Sequence, residues 1–157
     1  MGEALVTLAQ RLVQAAIRTR TATLCAADET GLLVSISGPG IQPLLTTVEQ
    51  AAGAVRPGLD WGDWMVGRAA ALLLLLMRPR AIFGAFMSIE AQALLRRAGL
   101  PYACDQTIPR VLNRMGTGPC PMELAVHGLE EPAAALEALK QAVRHVQSTT
   151  VREENTP

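Results

Sequence analysis

The chain has 157 residues, of which 50% are hydrophobic and 18% charged, a composition that predicts one globular domain and excludes a mainly disordered chain. Lysine plus arginine number 14, as do aspartate plus glutamate, so the net charge provides no general attraction to nucleic acid or to an acidic membrane. Aromatic residues make up 3%, which disfavours a stacking platform for single-stranded nucleic acid.

The cysteines and the apolar runs indicate the compartment. Cys25, Cys104 and Cys120 are too few and too irregularly spaced for a disulfide framework. The N-terminus lacks the basic region of a signal peptide, and the longest apolar run, 69–77, is far shorter than the roughly 18–20 residues of a transmembrane helix. We therefore expect a cytoplasmic protein with free thiols and no membrane association.

Apolar spacing in the first part of the chain predicts a helix, a hairpin and a second helix. Turn residues at 28–31 separate the two predicted strands of the hairpin. The predicted elements are a helix over 3–18, strands over 21–27 and 32–37, a helix over 42–52 and a loop over 53–62.

Strands and helices alternate in the rest of the chain. The predicted elements are strands over 64–66, 81–87 and 102–107, helices over 67–77, 88–98, 121–127 and 132–147, and a loop over 108–119. Alternation implies right-handed crossovers onto a parallel sheet, to which the hairpin adds antiparallel strands. We expect one α/β domain over 1–147, a three-layer α-β-α sandwich with a mixed five-stranded sheet, and a polar C-terminal tail over 148–157.

Two predicted helix starts are candidate ligand sites, because ligands of such sheets bind beyond the carboxyl ends of strands. Gly67 would let the backbone approach an anion, and Arg68 would add a positive charge. Ser88 begins the second helix and could donate a hydrogen bond. The alternative is structural: Gly67 eases packing, Arg68 points to solvent, and Ser88 is only an N-cap.

Residues 113–123 (NRMGTGPCPME) form the richest candidate segment. Gly116 and Gly118 allow the backbone angles of an anion-binding nest, with Thr117 between them, while Asn113 and Arg114 add directional donors. The alternative is a tight loop with no ligand.

Cys120 and Glu123 in the same segment are the candidate catalytic residues. Pro121 suits the first helical position, so Cys120 would be the N-cap and Glu123 would reach back to its N–H as in a capping box. A thiol at a helix start gains nucleophilic character. Cys120, Glu123 and His127 share one helix face, but three ligands on one short helix rarely converge on an ion, so we expect no metal site.

These strings resemble a small prokaryotic family catalogued as a domain of unknown function. The resemblance rests on residues 63–71 (DWMVGRAAA), on Ser88 with Ala91, and above all on NRMGTGPCPME. It implies a cytidine-deaminase-like fold that lacks the zinc ligands. Zinc-dependent deaminases carry H-x-E and P-C-x-x-C at their helix starts, and the corresponding positions here contain neither His nor Cys, so we expect no such activity.

The leading hypothesis is a domain that binds a small anionic ligand, such as a nucleotide or a phosphorylated metabolite, without a cofactor. Two alternatives stay open: a metal-independent enzyme in which Cys120 is the nucleophile or redox thiol and Glu123 the acid/base, and an interaction module that forms homo-oligomers. The predicted ligand-binding residues are Asp63, Gly67, Arg68, Ser88, Asn113, Arg114, Gly116, Thr117 and Gly118.

Overall fold

The computed structural model describes residues 6–51 and 55–154, and the side chains of 149–154 lie outside that description. Strands and helices follow the predicted order. The elements are α1 (Leu8–Arg18), β1 (Leu24–Asp28), β2 (Gly31–Ile36), α2 (Gln42–Gln50), β3 (Asp60–Val66), α3 (Arg68–Leu76), β4 (Ala81–Ser88), α4 (Ile89–Arg97), β5 (Tyr102–Ile108), α5 (Pro121–Ala125) and α6 (Pro132–Glu154).

The strands form one mixed sheet in the order β2-β1-β3-β4-β5. Strand β1 runs antiparallel to both β2 and β3, whereas β3, β4 and β5 are parallel. The predicted mixed five-stranded α/β sheet is therefore confirmed. Because β3 and β4 are each followed at once by a helix, the N-termini of α3 and α4 lie at the carboxyl edge of the sheet.

Helices cover both faces of the sheet. The apolar side of α1, with Val13 and Ile17, packs against Cys25 and Phe83 on one face. On the other face α2, α3 and α4 join Leu24, Trp61 and Ile82 in the larger core. Residues 69–74 of α3 are all buried because α6 packs on the side of α3 that faces away from the sheet. This buried position explains why the sequence of α3 is apolar on every side.

Two predicted boundaries near the start of the chain are wrong. Helix α1 begins at Leu8, because the Thr7 hydroxyl accepts from Gln10 N and the Gln10 side chain accepts from Thr7 N, a capping box that fixes the first turn. Part of the predicted helix, residues 1–5, lies outside the described residues. Strand β3 begins at Asp60 inside the predicted loop, since residues 60–62 pair with both β1 and β4.

The predicted end of the last helix at residue 147 is also wrong, because α6 continues through residue 154 into the predicted polar tail. No Gly or Pro interrupts the sequence between 133 and 156, so nothing in this segment stops the helix. In the described part of the chain, none of the helices has the length and apolar character needed to cross a membrane.

Candidate functional site

A cleft of about 950 Å³ opens at the carboxyl end of β3. Its walls come from the segment 38–42 that leads into α2, the loop 111–114, the start of α5 and the middle of α6 around Val143 and Val146. Apolar side chains such as Met65, Leu112 and Met122 supply much of the surface. The lining residues that carry charge or chemistry are Arg20, Asp63, Trp64, Gly67, Asn113, Arg114, Cys120 and Glu123.

The N-terminus of α3, where the sequence predicts a ligand anion, is occupied by the carboxylate of Glu123. Its Oε2 accepts from Arg68 N at 3.0 Å and its Oε1 accepts from Ala69 N at 3.0 Å. These N–H groups have no partner within a helix, and the helix dipole favours a negative charge beside them. Burial raises the pKa of Glu123, and the two backbone donors oppose that rise.

Gly67 makes this contact possible. A Cβ at residue 67 would lie 2.4 Å from Glu123 Oε1 and 2.7 Å from Val111 Cγ2. The backbone angles of Gly67 are ordinary extended values, so the residue is needed for space and not for an unusual conformation. The backbone approach predicted at Gly67 is therefore made, and the group that approaches is Glu123.

The capping box predicted within α5 is wrong. The N–H of Cys120 donates to Val111 O at 3.1 Å, and α5 has no side-chain cap. Glu123 instead reaches α3, where the N–H groups belong to a longer helix. Cys120 itself is half-buried and lines the cleft.

Arg68 does not line the cleft, so its predicted placement is wrong. The guanidinium turns into the protein and donates from an Nη to Leu129 O, just before α6. The side chain is buried because α5 and α6 close over the first turn of α3. Its charge is therefore not presented to a ligand in the cleft.

Ser88 is also absent from the cleft lining. It is 1% exposed, and its Oγ accepts from Ala91 N at 3.1 Å, the geometry of an ordinary N-cap. This is the geometry that the structural alternative predicts for the helix start, and a ligand contact at Ser88 stays a prediction.

Several polar groups of the loop 113–118 form hydrogen bonds with one another. Asn113 Nδ2 donates to Thr117 Oγ1, and Thr117 N donates to Asn113 Oδ1, both at 3.0 Å. Asn113 N donates to Gly118 O at 2.9 Å, and Gly116 adopts a φ of 68° that the turn requires. Asn113 and Arg114 line the cleft, whereas Gly116, Thr117 and Gly118 do not. Anion binding by the two glycines therefore stays a prediction.

Asp63 lies on β3 at the cleft and is partly exposed there. Burial raises the pKa of its carboxyl group to about 7, and the backbone N–H groups of Trp64 and Met65 only partly oppose that rise. A carboxyl group whose pKa lies near neutrality can hold or release a proton under ordinary conditions.

A comparison with protein-family models matches residues 13–143 to the family described as "TM1506: Domain of unknown function (DUF1893)". The chain belongs to the DUF1893 family. Among solved structures, the crystal structure of a DUF1893 family protein (TM1506) from Thermotoga maritima is similar, with a TM-score of 0.72 and 23% identity over 92% of this chain and 97% of that one. At this identity the likeness establishes the fold alone. The comparison with curated proteins found no match.

In this DUF1893 chain, Arg20 and Trp64 form a pair at the cleft, and neither is among the residues predicted from the sequence. The Cζ of Arg20 lies 4.2 Å from the centroid of the Trp64 ring, and both residues line the cleft. Arg20 has a φ of 57°, unusual for a residue with a side chain. No periodic pattern in the sequence links these two residues. Arg20 lies in the turn after α1, and it comes close to Trp64 only when the sheet has formed.

The described side chains contain no group of three or more His, Cys, Asp and Glu arranged to hold a metal ion. Helix α5 ends at Ala125, so His127 is not on the helix face assumed for it, and Glu123 is directed to α3. The cleft therefore presents two arginines, two carboxyl groups and one thiol on a largely apolar surface.

Proposed function

We propose that this domain binds a small anionic, nucleotide-like ligand in the cleft at the carboxyl end of β3 and does not catalyse zinc-dependent deamination. The observation that carries the proposal is the cleft itself, which Arg20 and Arg114 line and whose volume of about 950 Å³ lies in the range of small-molecule sites. Its position agrees with the general rule for ligands of open α/β sheets.

The anionic group of the ligand would contact Arg20 and Arg114. The N-terminus of α3 is occupied by Glu123, and Arg68 is turned away, so these are not available for the anion. Neither Arg20 nor Arg114 forms an ion pair with the residues the structure describes. Stacking on Trp64 positions Arg20 while its N–H donors can still reach a ligand.

We further propose that the fold is cytidine-deaminase-like. Helix starts at the ends of the parallel strands β3 and β4 support it, because the resemblance places the catalytic zinc of deaminases at such starts. Here those starts read Gly67-Arg68-Ala69 and Ser88-Ile89-Glu90, which supply no His or Cys ligand. We also propose a cytoplasmic location, which the three free cysteines support.

A metal-independent enzyme is the second candidate, and the half-buried position of Cys120 in the same cleft favours it. In that case Cys120 is the nucleophile or redox thiol. Glu123 is a poor acid/base for it, because both of its oxygens already accept backbone hydrogen bonds. The rate of Cys120 alkylation, measured as a function of pH, tests the enzyme candidate. A catalytic thiol should ionise below the pKa of about 8.5 of an ordinary cysteine, and ionisation at that value rejects this candidate.

Association between copies of the chain is a third candidate. Leu32, Leu33 and Ile36 are exposed on β2, an edge strand of the sheet. Exposed apolar side chains on a strand edge favour pairing with another chain. Sedimentation equilibrium at several protein concentrations measures this association, and a monomer throughout rejects it.

A thermal-shift screen tests the proposed function. Nucleoside monophosphates, nucleoside diphosphates and inorganic phosphate are compared on the wild-type chain and on Arg20→Ala, Arg114→Ala and Arg97→Ala variants. Arg97 is the control, since it is exposed at the end of α4 and does not line the cleft. A ligand at about 100 times its Kd adds roughly 2.7 kcal/mol to the free energy of unfolding. We expect that gain to fall in both cleft variants and not in the control; equal gains in all chains reject the proposal.

A further inference from the structure

Strand β3 carries two carboxylates with opposite surroundings. Asp60 is 2% exposed, and Arg80 donates to its Oδ1 at 3.1 Å and to its Oδ2 at 2.6 Å. Asp63, three residues further on, forms no ion pair with any residue the structure describes. Strand β3 therefore carries one carboxylate that is paired with a cation and one that is not.

Asp63 lies where a charge is costly. Burial disfavours its ionised form, and the pKa of the nearby Cys25 thiol is raised to about 12 by burial and by Asp63. Much of the cleft that Asp63 lines is apolar, with Ile41, Met65 and Leu112 among the other lining side chains. A ligand group that brings positive charge or N–H donors to this carboxylate would remove part of that cost.

We infer that Asp63 binds a planar, N–H-rich cationic group of the ligand, of the amidinium or guanidinium class. The backbone N–H groups of Trp64 and Met65 use only part of the accepting capacity of the carboxylate, whose two oxygens can still accept two parallel N–H donors. The apolar walls suit the flat framework that carries such donors. This inference rests on the proposed function, which places the ligand in the cleft. It adds a second requirement for the ligand, which must have an N–H-rich group for Asp63 as well as an anionic group for Arg20 and Arg114.

Benzamidine is the probe, because it joins an amidinium to an apolar ring. Isothermal titration at pH 8, about one unit above the pKa of Asp63, compares benzamidine with benzamide, which has nearly the same shape but no charge, and with benzoate. We expect benzamidine to bind the wild-type chain at least about tenfold more tightly than either comparator. Equal affinities for benzamidine and benzamide, or no benzamidine binding, overturn the inference.

Variants identify the carboxylate responsible. Asp63→Asn keeps the shape and removes the charge, and we expect it to weaken benzamidine binding about tenfold or more. Glu130→Gln is the matched control, since Glu130 is exposed and does not line the cleft, and it should bind like the wild type. Undiminished binding by Asp63→Asn overturns the assignment. Should that variant not fold, titrations of the wild-type chain at pH 6 and pH 8 decide, because benzamidine should bind more weakly at the pH at which the carboxyl group of Asp63 is mostly protonated. Equal affinities at the two pH values overturn the assignment.

The two proposals can fail separately. Benzamidine binding through Asp63 without any stabilisation by phosphorylated compounds rejects the anion-binding proposal and retains the Asp63 site. Stabilisation by phosphorylated compounds that depends on Arg114, together with equal affinities for benzamidine and benzamide, retains the anion-binding proposal and rejects the Asp63 site.

Discussion

Glu123 Oε1 occupies the space beside Gly67 that a side chain at residue 67 would need, since a Cβ there would lie only 2.4 Å from it. The two residues are far apart in sequence, yet one carboxylate joins them by accepting from the first N–H groups of α3. The contact fixes the position of α5 against α3 and so shapes one wall of the cleft.

Replacing Gly67 with Ala should destabilise the protein by about 1–3 kcal/mol. The new methyl group would force the Glu123 carboxylate away from Arg68 N and Ala69 N and would also crowd Val111. Gly118→Ala is the control, because the nearest atom to a Cβ there is Asn113 Nδ2 at 3.9 Å. Urea unfolding measures both variants, and equal free energies of unfolding contradict the assigned role of Gly67.

Glu123→Ala should cost about 1–2 kcal/mol through loss of the helix cap. Because Gly67→Ala acts by displacing the same carboxylate, the double variant should lose clearly less stability than the two single losses combined. The measurement is a double-mutant cycle of unfolding free energies. Full additivity would indicate that the two positions do not interact through the carboxylate.

Asp63 should make stability depend on pH in a defined direction. Its pKa rises from 3.8 in the unfolded chain to about 7 in the folded one, so the folded state holds the proton more tightly and stability decreases as pH rises between these values. Asp63→Asn removes this loss and should be more stable than the wild type above pH 7, by roughly 1–3 kcal/mol, since exposure to the cleft reduces the full effect. The two chains should converge near pH 4.

Asp105→Asn is the control for that measurement. The exposed pair with Arg18 lowers the pKa of Asp105, so any effect of this variant should be small and opposite in sign. Unfolding free energies at pH 5 and pH 8 for the three chains test the prediction. A gain for Asp63→Asn that is the same at both pH values would contradict the titration of Asp63.

Arg80→Ala should destabilise the fold by about 1–3 kcal/mol, because it leaves the buried carboxylate of Asp60 without its cation. Arg80 also contacts Glu29, so the variant removes a link between β3 and the β1–β2 turn. Lys140→Ala, which breaks an exposed pair with Glu137 within α6, should cost no more than about 0.5 kcal/mol. Thermal unfolding of the two variants distinguishes these cases.

Cys25 should resist alkylation in the folded protein. It lies on β1 and is fully buried against α1. Burial together with the nearby charge of Asp63 raises the pKa of its thiol to about 12. Cys104 and Cys120 are half-buried and should react first with iodoacetamide at pH 8. Peptide mass measurements over time give the order of labelling, and urea should abolish the protection of Cys25. Early labelling of Cys25 would contradict its burial.

The order of strands and helices could be predicted because it depends on local apolar periodicity, and the region of the cleft followed from where parallel strands end. The contacts inside the site could not. Whether the first turn of α3 meets a ligand or Glu123 depends on packing between segments 55 residues apart, which no local pattern encodes. Arg68 and Arg20 illustrate the same limit: the arginine beside the helix start is buried, and the one in an unremarkable turn lines the cleft.

The Gly67–Glu123 contact also bears on how such sequences diverge. A bulkier residue at 67 and a carboxylate at 123 are incompatible in this arrangement, so related chains that replace Gly67 should also have replaced Glu123. A change around 67 would then be possible only after a change around 123, although the two segments are far apart in the sequence.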